Sequence, residues 1–491
     1  MSAQPSMTPE AVSAAGEGEG DEGIGERSRA MQDGLPQPLR GRAMLVIILG
    51  LTVAVLDGTI VNLALPGIAR ELPASAAQSI WVINAYQIAT LVILLPLASL
   101  GDRFGYRRVY LIGLALFTAS SVAATFADSL TTLIAARAVQ GLGAAGIMSV
   151  NSALVRLTYP ANKLGRGIAI NSLVVATASV AGPSVAAAVL SVASWPWLFA
   201  LNVPLGLLTW WLGMRALPFN VTQAQGLRMS PLDVLFNIAM FSLIFIGADG
   251  LSVREGAAQG SSLHAWLALG AGIAVGVVYL RRQRRLEAPL FPIDLLRIPV
   301  FALSMCTSVT AFCAQMLAYI ALPFLLLESY GRSHVEAGLL ITAWPAAIVV
   351  MAPLAGRLIG KYPDGLLGGI GLGLLACGLA ALALLPDQPS NLNIAWRMAL
   401  CGAGFGLFQS PNNHTIVSAP PPNRAGAASG MLGTARLTGQ SIGAVILATI
   451  FSVWSPHDGK GPIVALGLAA VFAGLAAVFS SLRTRHPAPG H

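Results

Sequence analysis

MLVIILGLTVAVLDGTIVNLALP, residues 44–66, is an apolar run broken by one charge, Asp57. About 20 apolar residues at about 1.5 Å each span a hydrocarbon core about 30 Å thick, so the run suits a membrane-crossing helix. Asp57 then lies roughly 18 Å beyond Leu45, past the midplane but still within hydrocarbon. A charge there costs about 2.5–3.5 kcal/mol on insertion scales. An acid kept at that cost marks Asp57 as a candidate for function.

Composition extends this reading to the whole chain. Of 491 residues, 55% are apolar and only 10% charged, against about 25% charged in soluble domains. The 52 glycines agree, because close helix contacts in lipid favour small residues. The expected class is an all-α polytopic membrane protein whose partners are the lipid bilayer and a small molecule. The net charge of +8 is scattered between apolar runs, so it reads as topology and not as a nucleic-acid surface. Cys306, Cys313, Cys377 and Cys401 fall within apolar runs and read as small packing residues. No His/Cys spacing resembles a zinc site, so no metal and no organic cofactor is expected. Residues 1–42, with Glu17, Glu19, Asp21, Glu22 and Glu26 among Gly, Ala and Ser, are predicted as a disordered tail. They lack the apolar stretch and cleavage site of a signal peptide.

Runs long enough to cross occur near 43–66, 79–100, 108–127, 130–155, 166–190, 197–217, 232–250, 263–280, 298–327, 335–358, 365–386, 394–412, 425–453 and 462–482, fourteen in all. With the N-terminus inside, 22 of the 29 Lys and Arg fall in cytoplasmic segments. Arg70, Arg254, Arg332, Arg397 and Lys460 fall outside, and Arg137 and Arg436 lie within helices. This positive-inside bias predicts an even number of spans with both termini cytoplasmic. The expected organisation is a six-helix half over 43–217, a two-helix insertion with its loop over 218–297, a second half over 298–482, and a short tail over 483–491. LGDRFG (100–105) and LIGKYP (358–363) sit at corresponding places in the two halves, a weak internal repeat.

Two six-helix halves are the architecture of major facilitator transporters, and several motifs resemble that family. LASLGDRFGYRR (97–108) is similar to the loop signature GxLaDrxGrk, with Ala98 replacing the first glycine and Tyr106 one base. The resemblance implies a conformational lock at Asp102, Arg103, Gly105 and Arg107; an ordinary short basic loop would also explain Arg107 and Arg108. LIAARAVQGLGAA (133–145) resembles lxxxRxxqGxgaa and buries Arg137, a permanent cation that needs a partner. In the family that arginine is implicated in proton coupling; a purely structural arginine is the alternative. The GLGAAG within it lacks the strand and βαβ context of a dinucleotide fingerprint. VAGPSVAAAVL (180–190) resembles the antiporter motif GPxxGG, with Ala186 and Ala187 in place of two glycines. Gly182 and Pro183 predict a kink there. WPWLFALNVPLG (195–206) and LDGTIVNLALP (56–66) resemble WRWxFxINxPxG and LDxTIVNVALP of the fourteen-helix drug:proton antiporter branch, with Pro196 replacing an arginine.

The chain is therefore identified as a member of that multidrug efflux branch. The resemblance implies a major facilitator fold of fourteen transmembrane helices in the cell membrane (the inner membrane if the cell is Gram-negative), acting as a monomer. It implies a drug:H⁺ antiporter that expels lipophilic or cationic toxic compounds, and hence antibiotic resistance, with the proton as coupling ion. Asp57 and Arg137 are the expected coupling pair. A dry site favours the protonated acid and an adjacent guanidinium favours the carboxylate, which leaves the balance open. Asn62, Asn84, Tyr86, Gln87, Gln315, Tyr319 and Asn413 are candidate substrate-cavity residues, or alternatively helix-packing polar groups. Few acids lie in the second half, which argues against dications. An exporter of an endogenous metabolite, lipid or siderophore is the runner-up. A channel fits paired halves less well, and no constellation of nucleophile and base suggests an enzyme.

Overall fold

The computed structural model describes residues 34–485 except 73, 161–162, 220–229, 252–259, 287–288, 387, 421–424 and 456–457. Residues 1–33 of the predicted tail over 1–42, and 486–491 of the tail over 483–491, lie outside these. The long helices are α1 Leu39–Glu71, α2 Trp81–Phe104, α3 Tyr106–Thr125, α4 Leu130–Thr158, α5 Leu164–Leu190, α6 Asn202–Ala216, α7 Pro231–Gly250 and α8 Gly260–Gln283. They continue as α9 Pro299–Phe324, α10 His334–Leu358, α11 Asp364–Ala383, α12 Asn391–Ser418, α13 Ala425–Val453 and α14 Lys460–Leu482. Their bounds follow the apolar runs to within a few residues, and no strand occurs among the described residues.

Twelve helices, counted among the described residues, are long and apolar enough to cross a membrane. α12 falls short because Asn393, Arg397, Gln409, Asn412, Asn413 and His414 interrupt its apolar surface. α5 enters only through its apolar last stretch, Ala181–Leu190.

The helix ends are sorted by chemistry. α2, α4, α6, α8 and α10 each carry arginine in their last turn: Arg103, Arg156, Arg215, Arg281 with Arg282, and Arg357. Cations there complement the negative end of the helix dipole. The opposite end is served by serine caps: Ser129 before α4, Ser333 before α10 and Ser390 before α12 each accept a backbone N–H three residues on. We call these the basic end and the serine end.

The two six-helix groups pack by one plan. α1 packs on α5 and α6, α2 on α4, and α3 on α4 and α6. Correspondingly, α9 packs on α13 and α14, α10 on α12, and α11 on α12 and α14. The halves meet through α5 against α10 and α2 against α13, with α1 against α9 between them. A half-turn that carries α2 onto α10 also carries α5 onto α13, so the two seams are equivalent. The weak repeat seen in the sequence thus extends through both halves.

α7 pairs with α8 and lies against α2 and α13, outside one seam. The attachment has a local cause. Pro96 in α2 has no N–H, so the carbonyl of Val92 loses its helical donor. Asn237 of α7, fully buried, donates its Nδ2 to that carbonyl at 2.7 Å. Beside it, Asp233 pairs with Arg282 at 2.6 Å, joining α7 to α8.

Glycine sets the closest approach inside the first half. A Cβ at Gly141 of α4 would lie 2.3 Å from the carbonyl oxygen of Tyr86 in α2, and a backbone atom cannot easily yield. Gly141→Ala is therefore expected to destabilise the half by about 1–3 kcal/mol. A lower melting temperature of the purified protein in detergent would register it; an unchanged one would contradict this packing.

All four cysteines are free; Cys313 and Cys401 are buried, while Cys306 and Cys377 are exposed.

Candidate functional site

Asp57 is completely buried, and so, at 1% exposure, is Arg137. Helices α1 and α4 bring the two together across 80 positions of sequence: Arg137 Nη1 donates to Asp57 Oδ2 at 2.6 Å. The other carboxylate oxygen, Oδ1, accepts from Gln140 Nε2 at 3.0 Å and from Asn202 Nδ2 at 2.7 Å. Asp57 thus meets donors on both oxygens, an arrangement suited to its ionised form.

The arginine is held as firmly. Its Nε donates to the Val82 carbonyl at 3.0 Å and its Nη1 to Gln140 Oε1 at 2.6 Å. Its guanidinium carbon lies 4.3 Å from the Tyr86 ring centre and 5.6 Å from that of Phe199. Gln140 also donates to Ser121 Oγ at 2.8 Å. Helices α1, α4 and α6 therefore meet at one carboxylate, α3 joins through Gln140, and α2 covers the partner arginine. Spacing explains part of this: Arg137 and Gln140, three apart, share a helical face.

The structure supplies members that the sequence did not single out as site residues. Gln140 and Asn202 stand inside the quoted motifs, but which acid they serve emerges only from packing. Ser121 carries no sequence signal. Asn202→Leu is expected to lower the melting temperature, because a hydrogen bond to a charged group contributes about 1.5–3 kcal/mol. Asn202→Asp should be worse, since it sets a second carboxylate against Asp57. Equal stability of both variants and the wild type, by scanning fluorimetry, would show that Asn202 does not hold the acid.

Between the halves lies a cavity lined by Thr59, Asn62 and Leu63 of α1, Pro183 of α5, Tyr319 and Pro323 of α9, and Ile341 and Pro345 of α10. It measures about 10 Å³, room for roughly one water and far below the ~300 Å³ of a drug-sized pocket. A larger molecule enters only when the halves part. At the serine-end portion of the α5–α10 seam they are tightly closed. A Cβ at Gly338 would lie 2.3 Å from that of Ala187, Ser184 and Thr342 share a hydrogen bond of 2.9 Å, and Arg70 approaches Glu328 at 3.6 Å.

The candidate cavity residues separate into groups. Asn62 and Tyr319 line the cavity, as does Pro183, and a Cβ at Gly182 would collide with Thr59 Oγ1 at 2.0 Å. Asn84, Tyr86 and Gln87 are buried on α2, with Gln87 Nε2 reaching Met316 Sδ of the other half at 3.6 Å. Gln315 is buried one turn from Tyr319. Asn413 is half-buried and stands outside this group; its neighbour Asn412 is the fully buried one.

Asn412 donates to Ser308 Oγ at 2.7 Å and accepts from Arg483 Nη1 at 2.9 Å. Arg483 also donates to Ser304 Oγ at 2.9 Å. The residue read as the start of a tail thus ties the end of α14 into α9 and α12. Burial pushes its guanidinium down to about 10, against the pull of Asp364, and it stays charged at neutral pH.

At the basic end Gly105 joins α2 to α3 with φ 103°, a conformation open to glycine. Arg107 donates to the Met214 carbonyl at the end of α6 and lies 4.0 Å over the Phe219 ring. Arg103 is exposed, 5.2 Å over the Phe104 ring. The Asp102 side chain lies outside the described residues. Among the described residues, neither Arg103 nor Arg107 makes a hydrogen bond or ring contact with the second half.

Residues 47–444 match the family model of the Major Facilitator Superfamily. The chain belongs to that superfamily. It is 52% identical over 460 residues to the uncharacterized transporter YebQ of Escherichia coli K12, covering 94% of this chain and 99% of that one. It is 30% identical over 409 residues to the multidrug resistance protein Stp of Mycobacterium tuberculosis (83% and 75% covered). It is 28% identical over 413 residues to the riboflavin transporter RibZ of Clostridioides difficile (83% and 88%). A solved bacterial homolog of the lysosomal transporter Spinster, inward-facing and unoccupied, shares the fold with TM-score 0.64 at 16% identity, over 92% of this chain and 98% of that one. This major facilitator chain is thus a multi-pass membrane transporter with relatives in the multidrug efflux branch. Among the described residues no group of three or more His, Cys, Asp or Glu is placed to hold a metal ion.

Proposed function

We propose that the chain is a proton-coupled exporter of toxic lipophilic compounds, working by alternating access. The observation that carries the reading is the buried Asp57–Arg137 pair, 2.6 Å apart and closed by Gln140 and Asn202. A proton arriving at Asp57 removes the charge that holds Arg137 and turns one acceptor oxygen into a donor. The network must then rearrange, because Asn202 and Gln140 both present N–H groups to that carboxyl. Proton binding is thereby tied to movement of α1 against α4 and α6, and α1 also lines the cavity between the halves.

The same reading takes all fourteen helices as spans, with the basic end facing the cytoplasm. α5 and α12 are included because each packs inside its half as its repeat counterpart does, α5 like α13 and α12 like α4. Both termini then lie on the cytoplasmic side of the cell membrane, and the proton is the only coupling species required.

A second reading, carriage of an endogenous metabolite, is favoured by the similarity to a riboflavin transporter. One experiment separates the two. An efflux-deficient bacterial host expressing the chain or its Asp57→Asn variant is screened against toxic compounds of varied charge. The proposal expects raised tolerance to some compounds with the wild type and none with the variant. Tolerance that no compound raises, or that the variant raises equally, would overturn it.

A further inference from the structure

Arg436, like Arg137, lies within a helix, and it is placed differently. It sits in α13 on the seam between the halves, half-buried. Its guanidinium carbon lies 5.6 Å from the ring centre of Phe312 in α9. Tyr86 of the first half and Tyr319 of the second are both close enough to interact with it electrostatically. Among the described residues no carboxylate pairs with it. The Phe312 ring engages one face of the guanidinium and leaves its in-plane N–H donors untouched.

A guanidinium in a membrane interior stays charged and is costly without a partner. Three other described acids already have partners near helix ends: Asp233 with Arg282, Asp364 with His414 and Glu328 with Arg70. Deep in the bundle, the described charges are Asp57, Arg137 and Arg436, one negative and two positive, which leaves +1. That field attracts anions and repels cations.

The surroundings add shape and polarity. Tyr319 stands one turn from Gln315, lines the inter-half cavity and meets Trp344 edge-on with ring centres 5.1 Å apart. Phe312 packs on Phe405 at 5.4 Å. From the first half, Asn84 leaves both amide atoms without a partner and Gln87 leaves Oε1 unpaired, all buried. Buried polar atoms left unpaired in this way call for a partner that the folded chain itself does not supply.

We propose that Arg436 binds the carboxylate of the transported molecule and that the substrates are aromatic organic acids. The guanidinium fork takes the carboxylate in two parallel hydrogen bonds, and the ring lies among Phe312, Tyr319 and Tyr86. Asn84 and Gln87 serve polar substituents. This assignment rests on the transporter reading and narrows its substrates to anions.

The test uses one ring system with three charges: 2-naphthoate, 2-naphthamide and 2-naphthylmethylammonium. Binding to the purified full chain in detergent is measured by calorimetry. The wild type is expected to bind naphthoate about tenfold or more tightly than the amide, and the ammonium most weakly. Arg436→Gln should bring the acid-to-amide ratio to about one while amide binding persists. Arg436→Lys should retain part of the preference, since a point charge attracts without the fork. Where Arg436→Gln does not fold, a fall of the ratio in Arg436→Lys carries the test. An unchanged ratio in either variant, ammonium binding as tight as naphthoate, or no binding of any of the three overturns the assignment. Uptake into proteoliposomes with and without a pH gradient is recorded in parallel. Uptake indifferent to the gradient, with the binding ratio intact, would overturn proton coupling and leave Arg436 in its role.

Discussion

Asp57→Asn is expected to reduce gradient-driven uptake in everted membrane vesicles to background while exchange of substrate for substrate continues. The variant side chain has nearly the same shape, and its carbonyl oxygen still accepts from Arg137. It cannot carry a proton, so the step that draws on the gradient is lost while the step that moves substrate is kept. There is a structural cost as well. Removing one charge of a buried pair commonly destabilises by about 3–5 kcal/mol. Here the remaining cation keeps the Val82 carbonyl, Gln140 and the Tyr86 face, so the cost should fall at or below the low end of that range. Gradient-driven uptake at the wild-type rate would remove Asp57 from the coupling mechanism.

Arg137→Lys is the second large effect, and it separates geometry from charge. The positive charge is retained, so the carboxylate is still neutralised. A single ammonium cannot reach Asp57, Gln140 and the Val82 carbonyl together in the plane that the guanidinium occupies, nor lie flat on Tyr86. Transport is expected to be lost in both the gradient-driven and the exchange modes, with a monodisperse, folded protein on size exclusion. Wild-type transport by that variant would show that only the charge matters.

Much of this was legible in the sequence, for reasons that differ from residue to residue. The apolar runs gave α13 over the same residues the structure assigns, 425–453, because a helix in lipid must satisfy its own backbone. Asp57 and Arg137 stood out as charges in apolar helices, and a buried charge demands a partner. Gln140 and Asn202 were harder to assign. Both are polar, but the direction of a side chain depends on helix rotation, and rotation is fixed only by neighbouring helices. Ser121 was invisible, since Ser120 and Thr118 beside it bond to their own helix carbonyls and look the same in sequence. Arg483 was not singled out because apolarity ends at Leu482, yet its side chain turns inward to Ser304 and Asn412. Asn237 became meaningful only once Pro96 was seen to free the Val92 carbonyl opposite it.

The central claim is that Asp57 takes up and releases the transported proton while Arg137 is held or freed accordingly. Infrared difference spectroscopy on the purified wild type, Asp57→Asn and Arg137→Lys reads it without a substrate. On acidification the wild type should show a carboxylic-acid band that disappears in Asp57→Asn and shifts in Arg137→Lys. The same band persisting unchanged in Asp57→Asn, or a wild type in which that carboxyl never protonates, would contradict the account.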